Sequence, residues 1–396
     1  MKLMTVEAAR AAMLAEISPL GTESVALAQA MGRMLAEPVV AMRDQPPFAN
    51  SAMDGWALRA TDTPGRLIII GESAAGHGYE GALGPGQAVR IFTGAALPAG
   101  ADTVVIQEDA VRKGDQITVP TARAGDNIRK AGRDFQAGQT LLASGVRVDP
   151  WRLSLCAAAG RAALTVFNLP RVAILSTGEE IVEAPSVPGP FQIYDSGSPA
   201  LQAMVEAWGG RVTRLTGIRD RLNEVIAALK GAEADLIVTV GGASVGDHDL
   251  VRSAAKALGL SLRVESIAVR PGKPTFFGVL GDGRRMLGLP GNPASAFVCA
   301  ELFLKPILDA YQGGSGHLLI GRARLQSPLG ANGAREQWMR ARIHPTTDGA
   351  LAEIFADQDS SLVTVFAAAD ALVRRPAHAP ALQVGDEVEI LAMPRA

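Results

Sequence analysis

The chain has 396 residues, 48% of them apolar and 20% charged, which is ordinary for a globular protein of roughly two to four domains. Its 38 basic and 40 acidic side chains give a net charge of −2, which excludes nonspecific nucleic-acid binding as the main activity. Two cysteines, Cys156 and Cys299, are too few for a disulfide framework or a four-thiolate metal site, and no apolar run approaches the ~18 residues of a membrane span. We therefore expect a cytoplasmic protein with no nucleic-acid partner and no membrane partner.

The first part of the chain alternates between helical and β-rich patterns. Residues 1–17 have the apolar spacing of an amphipathic helix, and residues 150–164 are again helical in pattern. Residues 63–145 between them are rich in glycine and in short β-forming runs separated by turns. We predict a discontinuous helical and extended domain interrupted by a β-rich insertion, with bounds 1–48 and 140–168 for the former and 49–139 for the latter.

From residue 171 the pattern changes to strands that alternate with helices. The apolar strands at 172–176 and 236–240 are separated by helical segments, which is typical of βαβ units on a mostly parallel sheet. Such sheets bind ligands at the carboxyl ends of their strands. Short strands with Gly and Pro return after residue 317. The predicted fold class is multidomain α/β plus all-β, with an α/β domain at 169–314 and a C-terminal β-barrel at 315–396.

Two loops of the α/β segment lead from a strand into a helix. The loop at 241–249 combines glycines with Ser244, Asp247 and Asp249, which favours a phosphate site over a plain turn. In the loop at 289–296 a helix start explains Asn292 as N-cap and Pro293 as first helical residue. It does not explain Pro290 and Gly291, so we consider this loop a second ligand contact.

Two further loops carry charge. Residues 270–274 place Arg270 and Lys273 in a stiff, proline-flanked corner. A solvated turn explains this corner equally well, but it follows a predicted strand at 262–269 that we assign to the same sheet. Residues 176–180 offer hydroxyls for a phosphate, and Glu179 or Glu180 for a cation.

Two polar segments lie before the α/β domain. Residues 50–57 read as a linker with a turn at Asp54, or as a functional segment, and residues 129–134 read as a solvated charged turn. The chain has no HExxH, CxxC or Walker lysine pattern, and GxGxxG is absent from the strand–helix turns. P-loop hydrolysis and Rossmann hydride transfer are therefore disfavoured.

Taken together, these segments resemble the molybdopterin molybdenumtransferase family, which includes the bacterial MoeA proteins and the E domain of gephyrin. The matching segments run in family order and are residues 46–55, 91–95, 127–129, 132–134, 176–180, 193–196, 241–249, 270–274 and 289–296.

The resemblance implies insertion of molybdate into adenylylated molybdopterin, with Mg²⁺-assisted cleavage of the pyrophosphate link and release of AMP. The substrate's own dithiolene sulfurs would ligate the molybdenum, so the protein needs no cysteine pair. The resemblance also implies an elongated homodimer of four-domain subunits with the site between subunits. Transient contact with molybdopterin adenylyltransferase or with molybdoenzymes would follow from this role.

The resemblance further implies site residues. The implied catalytic residues are Asp54, Thr93, Asp134, Glu180, Asp220, Asp249 and Lys273, and those implied to bind Mg²⁺ are Asp54, Glu180, Asp220 and Asp249. The residues implied to hold molybdopterin are Ser176, Thr177, Gly178, Asp195, Ser196, Gly241, Gly242, Ser244, Pro290, Gly291 and Pro293. Those implied to bind molybdate are Ser244, Arg270, Lys273, Arg340 and Ser360. The sequence departs from the common family residues at Ala49, Trp56, Gly197, Ser266 and Arg270, but the acidic set is intact.

Two alternative functions stay open at this point. A molybdopterin-binding scaffold without turnover is one, since the gephyrin E domain also has a scaffold role. Another enzyme on the same α/β domain, such as an adenylylating or a CinA-type enzyme, is the other. The intact acids argue against binding alone, and the resemblance outside the α/β domain argues against the second alternative.

Overall fold

The computed structural model describes residues 3–241 and 250–393, which divide into two compact units. One unit is Ser24–Val166, and the other joins Met1–Glu23 to Phe167–Ala396. Among the described residues, no helix combines the length and the apolar character that crossing a bilayer requires.

The Ser24–Val166 unit is built mainly of short strands. Its elements, one of which begins and one of which ends just outside these bounds, are β1 (Thr22–Ala26), β2 (Val39–Val40), β3 (Asn50–Ser51), β4 (Gly55–Leu58), β5 (Gly65–Ser73), β6 (Gln87–Ile91), β7 (Thr103–Ile106), β8 (Val111–Lys113), β9 (Gln116–Val119), β10 (Ile128–Arg129), β11 (Thr140–Leu142), β12 (Ala163–Phe167) and helix α2 (Pro150–Ala158). Six strands form one sheet in the order β7-β4-β6-β5-β9-β8, in which β5 and β6 are parallel and the other neighbours antiparallel.

The strand β4 was not predicted from the sequence. It lies between β6 and β7, and all four of its residues are buried. A β-carbon on Gly55 would lie 2.1 Å from the Val105 carbonyl oxygen, so this close pairing requires glycine. Because both faces of β4 are covered, its sequence shows no alternation of polar and apolar residues, and the interpretation of 50–57 as a linker was wrong for this part.

A second small core joins the two ends of this unit. Val25, Leu35 and Val39 pack with Cys156 and Val166, and β2 pairs with β11. The predicted helix at 150–164 is wrong beyond Ala158: Gly160 has φ +83°, a conformation that ends helices, and β12 follows. The predicted domain bounds of this region stay a prediction.

The second unit begins with helix α1 (Val6–Leu14) and continues with a sheet covered by helices. Its α/β elements are β13 (Arg171–Ser176), β14 (Ile181–Val182), β15 (Ile193–Tyr194), α3 (Gly197–Ala207), β16 (Arg211–Leu215), α4 (Leu222–Gly231), β17 (Leu236–Val240), α5 (Leu250–Ala257), β18 (Ser261–Val264), β19 (Val269–Arg270), β20 (Phe276–Val279), β21 (Arg285–Leu289), α6 (Pro293–Cys299) and α7 (Lys305–Tyr311). The sheet order is β16-β13-β17-β21-β20-β18, parallel from β16 to β21 and antiparallel at β20 and β18.

Alternate residues of the buried strands enter two separate cores. Ile174 and Val238 face a core that includes α1, α3, α6 and α7, whereas Leu175 and Ile237 face a core formed with α4 and α5. The helices therefore cover both faces, as the apolar runs of these strands predicted.

The chain then forms a small closed barrel. Its elements are β22 (Ile320–Leu325), β23 (Glu336–Thr346), β24 (Gly349–Ile354), α8 (Val363–Ala368), β25 (Ala371–Arg375) and β26 (Glu387–Ala392). The order β23-β24-β22-β26-β25 closes because β25 pairs with β23. The predicted fold class, multidomain α/β plus all-β, is confirmed.

One strand assignment was wrong in a way that matters for the site. The extended segment 262–269 does not form a single strand of the parallel sheet. Instead β19 pairs in parallel with the barrel strand β23, with Arg270 opposite Gln337. The loop after β19 is therefore held between the α/β sheet and the barrel.

Candidate functional site

A first cavity lies at the carboxyl ends of the parallel strands. Ser176, the last residue of β13, lies opposite Val240 at the end of β17, and Val240 lies opposite Leu289 at the end of β21. In the sheet, β16 lies on one side of β13 and β17 lies on the other. The chain connections that leave the ends of these strands therefore run in opposite directions, which opens a crevice at the carboxyl edge of the sheet. We call this the strand-end cavity; its volume is about 860 Å³, and it is lined by Ser176, Thr177, Glu180, Ile181, Ile193, Tyr194, Asp195, Ser196, Gly197, Val240, Gly241, Pro274, Pro290, Gly291, Asn292, Pro293, Ser295, Ser361 and Val363.

Some polar side chains of this cavity already have hydrogen-bond partners within the protein, whereas others have none among the described residues. The Asp195 carboxylate accepts hydrogen bonds from the backbone N–H groups of Gly197 and Ser198, at 3.0 and 2.9 Å, and lies 3.6 Å from the Arg214 guanidinium. It therefore caps α3. The buried Ser176 hydroxyl has no hydrogen-bond partner among the described residues, so its hydrogen-bonding capacity is unfilled at the end of β13.

The Glu180 carboxylate folds back over its own loop. Gly178 has φ +139°, and a β-carbon there would lie 2.6 Å from both Glu180 carboxylate oxygens. Glycine is thus required for this arrangement, which leaves Glu180 exposed at the cavity. Within the described lining the formal charge is −2, from Glu180 and Asp195 with no basic side chain.

The loops after β17 and β21 approach each other closely. Gly241 has φ +85°, and a β-carbon on Gly291 would lie 3.4 Å from the Gly241 α-carbon. The glycines thus let two loop backbones meet at the cavity wall. Three of the predicted site residues in the following loop, Gly242, Ser244 and Asp249, lie outside the described residues.

A second cavity lies beside the first and shares Pro274 and Ser295 with it. Its volume is about 580 Å³, and we call it the loop cavity. Three basic side chains and two acidic ones line it, so its formal charge is +1. The lining residues are Arg270, Pro271, Gly272, Lys273, Pro274, Ser295, Arg335, Gln337, Trp338, Ala356, Asp357, Gln358, Asp359 and Ser360.

Arg340 lies beneath the loop cavity and not in its lining. The side chain is fully buried. Its Nε donates to the Gln358 side-chain oxygen at 3.1 Å, and its Nη1 donates to the Asp359 carbonyl at 3.1 Å. Arg340 therefore holds the barrel loop that carries Ser360. Burial lowers the pKa of the guanidinium, with nearby carboxylates opposing that shift.

Ser360 links the barrel loop to the first turn of α6. Its hydroxyl accepts a hydrogen bond from the Asn292 side chain at 2.9 Å, and its carbonyl accepts one from Ala294 N–H at 3.2 Å. Asn292 occupies the N-cap position, as predicted, but its side chain makes no capping hydrogen bond. The capping hydrogen bond expected from the Asn292 side chain was therefore wrong, and the side chain instead donates from its amide nitrogen to the Ser360 hydroxyl.

Asp54 and Thr93 meet in the Ser24–Val166 unit. The Asp54 carboxylate accepts hydrogen bonds from the Thr93 backbone N–H at 2.7 Å and from the Thr93 hydroxyl at 2.9 Å. These bonds, with a smaller contribution from Arg90, lower the pKa of Asp54. Arg90 itself stacks over the rings of Trp56 and Phe92. Asp134 is exposed in a turn of the same unit.

The sequence analysis missed part of the loop cavity, and several predicted residues do not line either cavity, namely Asp54, Thr93, Asp134, Gly178, Asp220 and Arg340. Asp220 is exposed between β16 and α4 and lines neither cavity. Arg335 and Gln337 were missed because they reach the cavity only through the β19–β23 pairing. The polar run at 357–359 was a usable signal, since it directly precedes Ser360.

Comparison with known proteins covers nearly the whole chain. Three family models match in order: "MoeA N-terminal region (domain I and II)" at residues 4–160, "Probable molybdopterin binding domain" at 173–310 and "MoeA C-terminal region (domain IV)" at 322–393.

Individual relatives agree with these models. The molybdopterin molybdenumtransferase of Bacillus subtilis is 34% identical over 385 residues, covering 93% of this chain and 89% of the relative. The molybdopterin molybdenumtransferase of Nostoc sp. is 35% identical over 338 residues, which cover 82% of this chain and 77% of the relative. The crystal structure of the molybdopterin biosynthesis moeA protein from Pyrococcus horikosii matches with a TM-score of 0.84 at 33% identity and covers 100% of both chains. The chain therefore belongs to the molybdopterin molybdenumtransferase family.

Proposed function

We propose that this protein inserts molybdate into adenylylated molybdopterin and releases AMP. The observation that carries the proposal is the direct contact between two cavities that share Pro274 and Ser295, one with a formal charge of −2 and the other of +1 in their described linings. Molybdate is a dianion and suits the second cavity. The first cavity suits a heterocycle whose phosphate is bridged by a cation.

The strand-end cavity would hold molybdopterin and its phosphate. Ser176 and Thr177 would donate hydrogen bonds, and Pro290, Gly291 and Pro293 would border the ring. Asp195 would act mainly by holding the start of α3 in place.

Mg²⁺ fits this cavity on the chemistry of its donors. No three His, Cys, Asp or Glu side chains of the described residues form a ligand cage. Mg²⁺ is commonly held by one or two carboxylates together with waters and substrate phosphates, so Glu180 at the cavity is a suitable ligand. When bound, the ion would offset phosphate charge during cleavage of the pyrophosphate link. Asp54, Asp220 and Asp249 stay proposed as further ligands.

The loop cavity would bind molybdate. Arg270 and Lys273 are exposed cations, and the Ser360 hydroxyl stands beside them in the lining. Ammonium and guanidinium groups make charge-assisted hydrogen bonds to tetrahedral oxyanions. From the family resemblance we also propose a cytoplasmic homodimer in which Asp54, Thr93 and Asp134 contribute to the same reaction.

The test is AMP release from adenylylated molybdopterin by the purified protein with Mg²⁺, with and without molybdate. We expect release that depends on molybdate and is not supported by sulfate, a matched tetrahedral dianion. Chelation of Mg²⁺ should stop it. Tight binding of the substrate without any release would contradict the proposal and favour the scaffold function.

A further inference from the structure

The cationic loop 270–274 has an exposed side and a buried side. The Lys273 side chain is exposed, whereas Gly272 and the Thr275 that follows the loop are buried. Beneath the loop lies Cys299, which is fully buried and which the proposed reaction does not use. A buried hydroxyl and a buried free thiol therefore lie directly under the proposed molybdate site.

The Cys299 thiol, the Thr275 hydroxyl and the Gly272 carbonyl are close enough to form a connected set of hydrogen bonds, which we call the Thr275 relay. The Thr275 hydroxyl oxygen lies 2.8 Å from the Gly272 carbonyl oxygen and 3.1 Å from the Cys299 sulfur. Burial raises the pKa of the Cys299 thiol to about 12, so it keeps its proton. The Thr275 hydroxyl donates to the Gly272 carbonyl and faces the Cys299 sulfur as a second acceptor. The same carbonyl also accepts a hydrogen bond from the Thr275 backbone N–H at 3.0 Å.

Packing fixes the same point of the loop. Gly272 has φ +119°, and a β-carbon there would lie 2.2 Å from the Cys299 sulfur. The Gly272 backbone therefore rests directly on the sulfur. No residue with a side chain fits at this position without moving either the loop or α6.

The next two carbonyls of the loop are also bonded inward. The Lys273 carbonyl accepts a hydrogen bond from Ile267 N–H at 3.0 Å, and the Pro274 carbonyl accepts one from Arg252 at 3.3 Å. Three consecutive carbonyls, those of Gly272, Lys273 and Pro274, thus point away from the cavity. This orientation leaves the Lys273 side chain on the cavity side.

We propose that Thr275, supported by Cys299, is a positioning residue that holds Arg270 and Lys273 for molybdate. The inference rests on the proposed function of the loop cavity. It predicts an effect on molybdate that is separate from the effect on adenylylated molybdopterin, since the Thr275 relay lies under the loop cavity.

The variants Thr275→Val and Thr275→Ser test this relay. Valine matches threonine in shape but lacks the hydroxyl, and we expect it to raise the KM for molybdate about tenfold while the KM for adenylylated molybdopterin changes less than about twofold. Serine keeps the hydroxyl and should restore the KM for molybdate to within about twofold. Thr239→Val is the matched control, because Thr239 is also fully buried and its hydroxyl has no partner among the described residues.

Equal losses in the Val and Ser variants, an unchanged KM for molybdate, or a parallel rise in both KM values would overturn the inference. If Thr275→Val does not fold, Cys299→Ala and Cys299→Ser are compared instead, because serine keeps a hydrogen-bonding partner under the Thr275 hydroxyl and alanine does not. An equal KM for molybdate in these two variants would overturn the inference.

Titration of molybdate alone by calorimetry separates this inference from the proposed function. A wild-type protein that binds molybdate without AMP release would contradict the function, while the weaker binding expected of Thr275→Val would still support the relay. Equal affinities of the wild-type and Thr275→Val proteins for molybdate would overturn the inference and leave the proposed function standing.

Discussion

The two neighbouring cavities of the α/β and barrel unit are built in different ways. The strand-end cavity lies at the ends of three parallel strands, and its described lining is rich in Gly, Pro and Ser, with two carboxylates and no cation. The loop cavity has five charged side chains in its described lining, and its three cations, Arg270, Lys273 and Arg335, lie on segments that are not part of the parallel sheet.

This difference predicts different responses to mutation. A cavity lined mainly by small residues at strand ends depends on the fold of the sheet, and we expect it to lose little when one hydroxyl is removed. A cavity lined by charged side chains depends on single residues and on the buried groups that orient them. The following experiments test this contrast.

Removal of the loop cation should have the largest effect. We expect Lys273→Ala to reduce molybdate-dependent AMP release by about 1000-fold, since charge stabilisation by one positioned donor contributes ~10²–10³ in rate and Lys273 also binds the dianion. Thermal unfolding should be unchanged, because Lys273 is exposed. Lys230→Ala, at the exposed end of α4, is the control and should keep full activity. Normal release by Lys273→Ala would remove the loop cavity from the proposed site.

The support under the loop should be sensitive to one added methyl group. Gly272→Ala places a β-carbon 2.2 Å from the Cys299 sulfur at φ +119°. We expect a loss of about 2–4 kcal/mol in the free energy of unfolding, from backbone strain and overpacking together. Gly283→Ala is the control, since Gly283 has φ +88° with no atom within 4 Å, and strain alone should cost about 1–2 kcal/mol. Equal losses in urea unfolding would show that the Cys299 contact is not rigid.

Substitution of Arg340 tests whether this residue positions the barrel loop or contacts molybdate directly. We expect Arg340→Gln to lower the free energy of unfolding by about 1–3 kcal/mol, because it removes the two hydrogen bonds from the buried guanidinium to the Gln358 side chain and to the Asp359 carbonyl. Arg322→Gln, an exposed residue of the same barrel paired with Glu387, should cost less than about 1 kcal/mol.

The rate of molybdate-dependent AMP release by Arg340→Gln then tests whether Arg340 acts by positioning the loop or by direct contact with molybdate. Its loss of activity should be smaller than that of Lys273→Ala, because the Arg340 side chain is buried away from the cavity surface. An Arg340→Gln protein of normal stability without activity would instead indicate the direct molybdate contact that the resemblance implies.

A single hydroxyl of the strand-end cavity should have a small effect. Ser176→Ala removes a buried hydroxyl with no partner among the described residues, so the stability should not fall. We expect the KM for adenylylated molybdopterin to rise about fivefold and the KM for molybdate to stay constant. Ser198→Ala is the control. It also removes a buried hydroxyl that has no partner among the described residues, but Ser198 does not line the strand-end cavity. A larger effect on molybdate than on the pterin substrate would contradict the division between cavities.

The smallest effect concerns Asp54 in the other unit. Its folded-state pKa lies below the ordinary value, so the contact with Thr93 stabilises the fold above pH ~4 and is lost as the pH falls through the folded pKa. Thr93→Val should move the pKa of Asp54 upward by removing the hydroxyl donor, whereas Thr93→Ser should not. Carboxyl titration by NMR measures the shift. An unchanged pKa in the valine variant would show that the backbone N–H alone sets it.

Much of the architecture could be predicted from the sequence, because periodicity reflects burial. Strands such as β13 and β17 are continuous apolar runs since both of their faces are covered, and the predicted parallel sheet and barrel are confirmed. The same rule explains a failure. The strand β4 is also covered on both faces, but it is short and begins with glycine, so its sequence carried no recognisable pattern.

The residue types of the site could also be predicted, but their contacts could not. The sequence by itself determined that hydroxyls and glycines follow parallel strands, that Arg270 and Lys273 form a stiff cationic corner, and, through family resemblance, which reaction they suit. Only the tertiary structure decided that β19 pairs with the barrel, that Asn292 bonds to Ser360, and that Arg340 is buried under the loop. These contacts join segments far apart in the chain, and such pairings depend on how separate elements pack, which local patterns of residues do not encode.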